Sequence, residues 1–198
     1  WPQVANSTLT VNGNITGGTA ASPTAIAEAI TKISTGMLVF GGTANQFTGG
    51  LVLQVSPSGS TSPTAGGIVK IMPSGGSSLV NPLASANNLT FSQSAAYAAA
   101  VYPNYRVQLT LDNSLTAGSL SQTFTNLSLG TSGTYIAPTV SLNNGNGGNL
   151  ALAFTGTFTR QPGNQLYLGT YASAAGDSTL SGRTLASPNA TTARIDLG

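Results

Sequence analysis

The chain contains no Cys and no His among its 198 residues, and charged residues make up 5% of it, against about 25% in an ordinary soluble domain. Each absence removes a class of chemistry. Without Cys there is no disulfide framework, although secretion stays open. Without His, a Ser or Thr nucleophile lacks its usual base, and a transition-metal site lacks its usual ligands. The four acids, Glu28, Asp112, Asp177 and Asp196, lie far apart in sequence, which disfavours paired-carboxylate hydrolysis. A calcium site built from Asp and backbone carbonyls is the one metal alternative that this composition leaves. The pairs Gly41-Gly42, Gly49-Gly50 and Gly66-Gly67 are followed by no Lys-Ser/Thr, so they read as turns rather than phosphate loops. The sequence therefore predicts no enzyme, no cofactor and no metal.

The same scarcity bounds the partners. Lys32, Lys70, Arg106, Arg160, Arg183 and Arg194 are scattered, whereas a nucleic-acid binder clusters its basic residues. A membrane-spanning helix needs about 20 consecutive apolar residues; Ala25–Ile33 and Ala95–Val101 are shorter and interrupted. With one Trp, six Tyr and six Phe, the aromatic girdles of an outer-membrane barrel are also poorly supplied. The start, Trp1-Pro2 without Met, reads as a processed N-terminus or a trimmed chain. The expectation is an extracellular protein with no nucleic-acid partner and no membrane span.

What the chain does have is neutral polarity: 23 Ser, 27 Thr, 16 Asn and 25 Gly. Such groups hydrogen-bond regardless of pH and salt, and a surface made of them lacks the net charge that keeps soluble monomers apart. Period-two alternation dominates the rest. Thr10–Thr16, Gly50–Ser56, Gly67–Met72, Leu89–Gln93, Tyr105–Asp112, Leu120–Leu129, Thr134–Leu142, Asn149–Arg160 and Asn164–Tyr171 read as strands. Asn143–Gly148 reads as a tight turn between two of them, and Pro57–Gly67 and Pro73–Pro82 read as surface loops. Thr24–Ile33 fits a helix or a strand about equally, and Ser94–Ala100 fits one or two helical turns. Many short strands without βα alternation predict a sandwich or barrel, with no internal repeat.

The N-terminal segment carries the sharpest expectation. Leu9, Val11, Gly13 and Ile15 share one face, and the connector Gly17-Gly18-Thr19-Ala20-Ala21-Ser22-Pro23 follows. An isolated strand must dock somewhere. It could be the first strand of its own sheet, or a donor strand that fills a groove in the next subunit. In its Leu9-Thr10-Val11-Asn12-Gly13-Asn14-Ile15 series the chain resembles pilins that polymerise by donor-strand complementation, the chaperone–usher pilins and the thread-type pili of thermophilic archaea. Ile30-Thr31-Lys32, Leu38-Val39-Phe40-Gly41 and the later Gln165, Gly169 and Tyr171 are similar to bacterial pilin-like secreted domains. The likeness covers roughly residues 7–172. The chain departs from chaperone–usher pilins in lacking a disulfide and a near-terminal Tyr.

The resemblance implies an immunoglobulin-like β-sandwich completed by a donor strand from a neighbouring subunit, with residues 1–23 as donor strand and connector and 24–198 as the pilin domain. Leu9, Val11, Gly13 and Ile15 would form the donor-strand interface of a homopolymeric extracellular filament serving adhesion or biofilm. The alternatives are a viral capsid or fibre protein and a carbohydrate-binding adhesive module, the latter requiring Tyr97, Tyr102, Tyr105, Tyr167 or Tyr171 to cluster. Asn-x-Ser/Thr sequons occur at Asn6, Asn14, Asn88, Asn126 and Asn189, where about four are expected from composition alone, and N-linked glycans are the expected modification. A Lys–Asn isopeptide from Lys32 or Lys70, promoted by Glu28, is the other; solvated surface lysines are the simpler expectation.

Overall fold

The computed structural model describes residues 7–19, 21–33, 36–55, 68–93, 107–130, 138–146, 148–160, 164, 166–170 and 193–196. These form strands and connections, with no helix among the described residues. The first three strands are β1 (Thr8–Val11), β2 (Gly17–Thr19) and β3 (Ser22–Thr24). Then come β4 (Ile30–Ile33), β5 (Met37–Phe40), β6 (Leu51–Val55), β7 (Ile68–Ile71), β8 (Leu79–Val80), β9 (Leu89–Gln93) and β10 (Gln108–Asp112). The last are β11 (Leu120–Phe124), β12 (Leu127–Leu129), β13 (Thr139–Asn143), β14 (Leu150–Phe154), β15 (Phe158–Arg160), β16 (Tyr167–Thr170) and β17 (Ala193–Asp196).

Among the described residues, every strand pair apart from the antiparallel hairpin β2–β3 is parallel. The strands sort into a six-stranded sheet (β1-β5-β7-β10-β13-β16), a five-stranded sheet (β15-β12-β9-β6-β4) and a four-stranded sheet (β17-β14-β11-β8). The chain visits them in rotation: β10, β11 and β12 lie one in each sheet, and β13, β14 and β15 repeat the round one strand further along. This is a parallel β-solenoid of three faces. Parallel neighbours need a long return connection; here the return runs through the other two sheets, where an α/β fold would use a helix.

The immunoglobulin-like sandwich expected from the sequence is therefore overturned: the sheets are parallel and each wall of the molecule is one of three. Period-two alternation suits either architecture, because both bury one face of each strand. What decides between them is the strand partner, and the alternation does not encode it. Asn143–Gly148 shows the difference: it turns a corner from β13 into β14, which belong to different sheets and do not pair. Thr125-Asn126 likewise breaks the predicted strand Leu120–Leu129 into β11 and β12 at a corner.

Register stacks like upon like inside the solenoid. Leu51, Leu89 and Leu127 are paired in successive strands, as are Leu53, Phe91 and Leu129. On the six-stranded wall Leu38, Val69, Leu109 and Val140 form one column, and Phe40, Ile71, Leu111 and Leu142 the next. All of these are buried in one apolar core. Phe124 and Phe154 on the third wall stack with ring centroids 5.9 Å apart. Strands about 4.8 Å apart bring each side chain into van der Waals contact with the one above, so every rung shields its neighbours.

Polar groups at the corners pin rung to rung. Asn45 accepts the Ile15 N–H at 2.9 Å and donates to the Pro82 carbonyl at 3.0 Å. Asn87 accepts the Gly50 N–H and donates to the Phe47 carbonyl. Asn126 donates to Asn88 Oδ1 at 2.8 Å and accepts the Thr157 N–H at 2.7 Å. Gln122 points inward and is fully buried, accepting the Leu83 N–H and donating to the Leu83 carbonyl. Much of the amide content that the composition assigns to the surface thus works as internal fastening.

Candidate functional site

Two features stand out against the neutral background, one on the flank of the solenoid and one at its end. On the flank, the outward side chains of the six-stranded wall are covered: Val39, Thr110, Asp112, Thr139 and Ser141 are all buried although they point away from the core columns. Lys70 on β7 and Asp112 on β10 form an ion pair at 3.0 Å, with side-chain exposures of 25% and 2%. Asn143, directly opposite Asp112 in the parallel register, donates to the same carboxylate oxygen at 2.8 Å. The other oxygen accepts the Ser114 N–H at 2.9 Å and the Ser114 hydroxyl at 2.5 Å. Beside this group Gln108 donates to Thr110 and Ser141, whose hydroxyls lie 2.9 Å apart.

Burial alone would raise the Asp112 carboxyl. The Ser114 hydroxyl, the Asn143 amide, the Ser114 N–H and the Lys70 ammonium outweigh it and hold the group below its ordinary value. With four donors on its two oxygens the carboxylate is saturated. It is a poor general base, since no lone pair faces an open site, and a poor electrophile, since it stays ionised. The arrangement clamps three adjacent strands, β7, β10 and β13, across the wall.

The lengths of the connections leading into this wall set it apart. Runs 56–67, 94–107 and 130–138 join the five-stranded wall to the six-stranded one, whereas Thr125-Asn126 alone joins β11 to β12. In solenoids, variable insertions gather on one side, often the binding side.

The second feature is the end of the solenoid formed by β1 and β4, the edge strands of their sheets. A groove of about 300 Å³ there is lined by residues that include Leu9, Lys32, Ile33 and Met37. Leu9 is 63% exposed and Ile33 44%. Lys32 occupies an inward position, in register with the buried Leu53, and burial pushes its ammonium down. Its Nζ donates to the neighbouring Ile33 carbonyl at 3.1 Å.

The residues expected at a donor-strand interface lie in this same region. Leu9 and Val11 belong to β1, which pairs in parallel with β5 of its own chain. Val11 and Ile15 pack against the core, and Gly13 stands where an added Cβ would meet nothing within 4 Å. The connector after the N-terminal strand enters the hairpin β2–β3, and the stretch that fitted helix or strand equally holds strand β4. The loop expected at Pro73–Pro82 contains β8.

The lysines are not solvated in the simple way expected: Lys70 is clamped to Asp112, and Lys32 points inward. Lys70 lies by Asp112 and Asn143 rather than by Glu28, a cluster that sequence spacing could not reveal because its members come from three rungs. Of the sequons, Asn14 is exposed, with Oδ1 accepting the Ala44 N–H. Asn88 and Asn126 form the corner ladder, while Asn6 and Asn189 lie outside the described residues. So do Tyr97, Tyr102, Tyr105 and Tyr171, and the side chain of Tyr167. Among the described residues no group of three or more acids, Cys or His lies together, and no helix is long and apolar enough to cross a membrane. Comparison of the chain with family models, with curated proteins and with solved structures finds no match in any of the three.

Proposed function

We propose that this chain is a structural module of an extracellular surface appendage, a stiff rod that holds or spaces an adhesive surface. The observation that supports it is the stacking itself: continuous side-chain columns and inter-rung amide pins run from β4 through β15, so load along the axis is shared by many parallel bonds. The neutral hydroxyls and amides of the chain suit an exterior of variable salt and pH. Adhesion would fall to the flank formed by the six-stranded wall.

Immuno-electron microscopy of native cells, with antibody raised against the folded chain, tests this reading. Gold should decorate linear surface structures. Label confined to the cell interior, or to icosahedral particles, would overturn it.

A further inference from the structure

Asn is followed by Gly three times in the chain, at Asn12, Asn144 and Asn146. Such a pair can react with itself, because Gly puts no side chain in the way when its backbone nitrogen swings onto the preceding carboxamide. The swing requires that neither the Gly N–H nor the Asn side chain is held, and the structure treats the pairs differently. At the corner after β13, the buried Asn113 accepts the Gly145 N–H at 2.9 Å. It also donates its amide to Asn144 Oδ1 at 2.8 Å and to Asn146 Oδ1 at 2.7 Å. Asn144 in turn donates to the Gly148 carbonyl at 2.8 Å, and an added Cβ at Gly145 would run into Ser114. After β1 the chain is held on either side of the pair, where the Val11 carbonyl accepts the Gly41 N–H and Asn14 Oδ1 accepts the Ala44 N–H. Asn12 and Gly13 between them are exposed. Among the described residues none hydrogen-bonds the Asn12 side chain or the Gly13 N–H, and an added Cβ at Gly13 would meet nothing within 4 Å.

We infer that Asn12 is a site of spontaneous succinimide formation, through which it converts to aspartate and isoaspartate, and that Asn113 shields Asn144 from the same reaction. Base removes the Gly13 N–H proton, and the nitrogen attacks Asn12 Cγ. The new C–N bond closes a cyclic imide, the Cγ–Nδ2 bond breaks, and the side-chain nitrogen leaves as ammonia. Water then opens the ring. Cleavage at Cγ leaves aspartate; cleavage at the backbone carbonyl leaves isoaspartate, with the chain running through the former side chain. Either product adds a negative charge to a chain whose formal net charge is +2, and isoaspartate also lengthens the backbone just after β1. The reaction consumes only water, so the inference does not rest on the extracellular reading.

Peptide mapping by mass spectrometry, with electron-transfer fragmentation to tell isoaspartate from aspartate, tests this on the purified chain stored in mildly alkaline buffer. In the folded protein Asn12 should convert roughly tenfold faster than Asn144, the margin set by the local opening needed to free the Gly145 N–H. Isoaspartate should be among its products. Urea should bring Asn144 close to the rate of Asn12, since unfolding removes the Asn113 contacts. Gly13→Ala, which has room for its methyl group, should slow the Asn12 reaction roughly tenfold by crowding the attack. Asn113→Ala should speed the conversion of Asn144 and leave that of Asn12 unchanged. Equal rates at Asn12 and Asn144 in the folded chain would overturn the inference. So would an Asn12 that stays intact in the folded chain yet converts in urea. A rate difference undiminished in urea would overturn it too, because the cause would then lie in the local sequence rather than in Asn113.

Discussion

At the residue scale the molecule is held by a small number of buried polar groups, and these give the sharpest tests. Gln122 sits in a column where Leu152 is its paired neighbour, yet its amide serves both the N–H and the carbonyl of Leu83. The rung above is short there, and Asn81 adopts a left-handed φ of 53°, so the side chain stands in for missing strand. Gln122→Leu should fit the volume but orphan both Leu83 groups, costing about 1–3 kcal/mol for each in urea unfolding. Asp112→Ala, which leaves Lys70 without its carboxylate, should cost roughly 3 kcal/mol at pH 7. Because the folded carboxyl is held below its unfolded value of 3.8, its stabilisation is complete above that pH and disappears as pH falls through the lower folded value. The urea midpoint of the wild type should therefore fall between pH 5 and pH 2 more steeply than that of Asp112→Asn, which lacks this titration. Equal slopes would show that the carboxylate is not differentially stabilised.

At the scale of elements, corners matter more than strands. Gly42 passes so close to the rung above that an added Cβ would lie 2.5 Å from the Gly13 carbonyl oxygen. Gly42→Ala should accordingly lower the melting temperature by several degrees, whereas Gly13→Ala, with open space around it, should change it little. The Asn88–Asn126 ladder makes a further prediction for the sequons. The Asn126 amide nitrogen is engaged by Asn88, and a sugar would replace one of its two hydrogens and crowd that contact. In a glycosylating host, mass spectrometry of glycopeptides should find Asn14 occupied and Asn126 bare, and full occupancy of Asn126 would show that the ladder forms late or weakly. The strand Leu89–Gln93 is the same in sequence and structure, since its alternation and bounding turn residues suffice to define it. β4 was legible as a strand only in part, because Ile30, Thr31 and Ile33 compete with the Ala-rich stretch before them.

At the scale of the whole molecule, a solenoid is close to one-dimensional, each rung touching its neighbours alone. Stability should therefore be graded along the axis. Amides of β7, β9, β10 and β12, with rungs on both sides, should exchange far more slowly than those of β4. Uniform protection from β4 to β12 would mean that the stack opens as a single unit. The same geometry explains why the repeat went unread. Ile68 pairs with Gln108, 40 residues on, while Thr139 pairs with Tyr167, 28 residues on. No fixed period survives that variation, although a local signature does: Phe47-Thr48-Gly49, Phe124-Thr125-Asn126 and Phe154-Thr155-Gly156 each precede a strand of the five-stranded wall.

Composition and alternation alone determined that this is a chain of short half-buried strands, poor in reactive groups and bounded by Gly and Asn corners. Those properties are local, set by which side chains face water and which backbone conformations a turn requires. Tertiary structure alone decided that the strands run parallel around three walls, that Asp112 meets Lys70 and Asn143, and that Lys32 points into the end of an apolar column. Each of these depends on which rung stacks on which, and that choice is made by contacts between residues far apart in sequence, such as Lys70 and Asp112, rather than by neighbours along the chain.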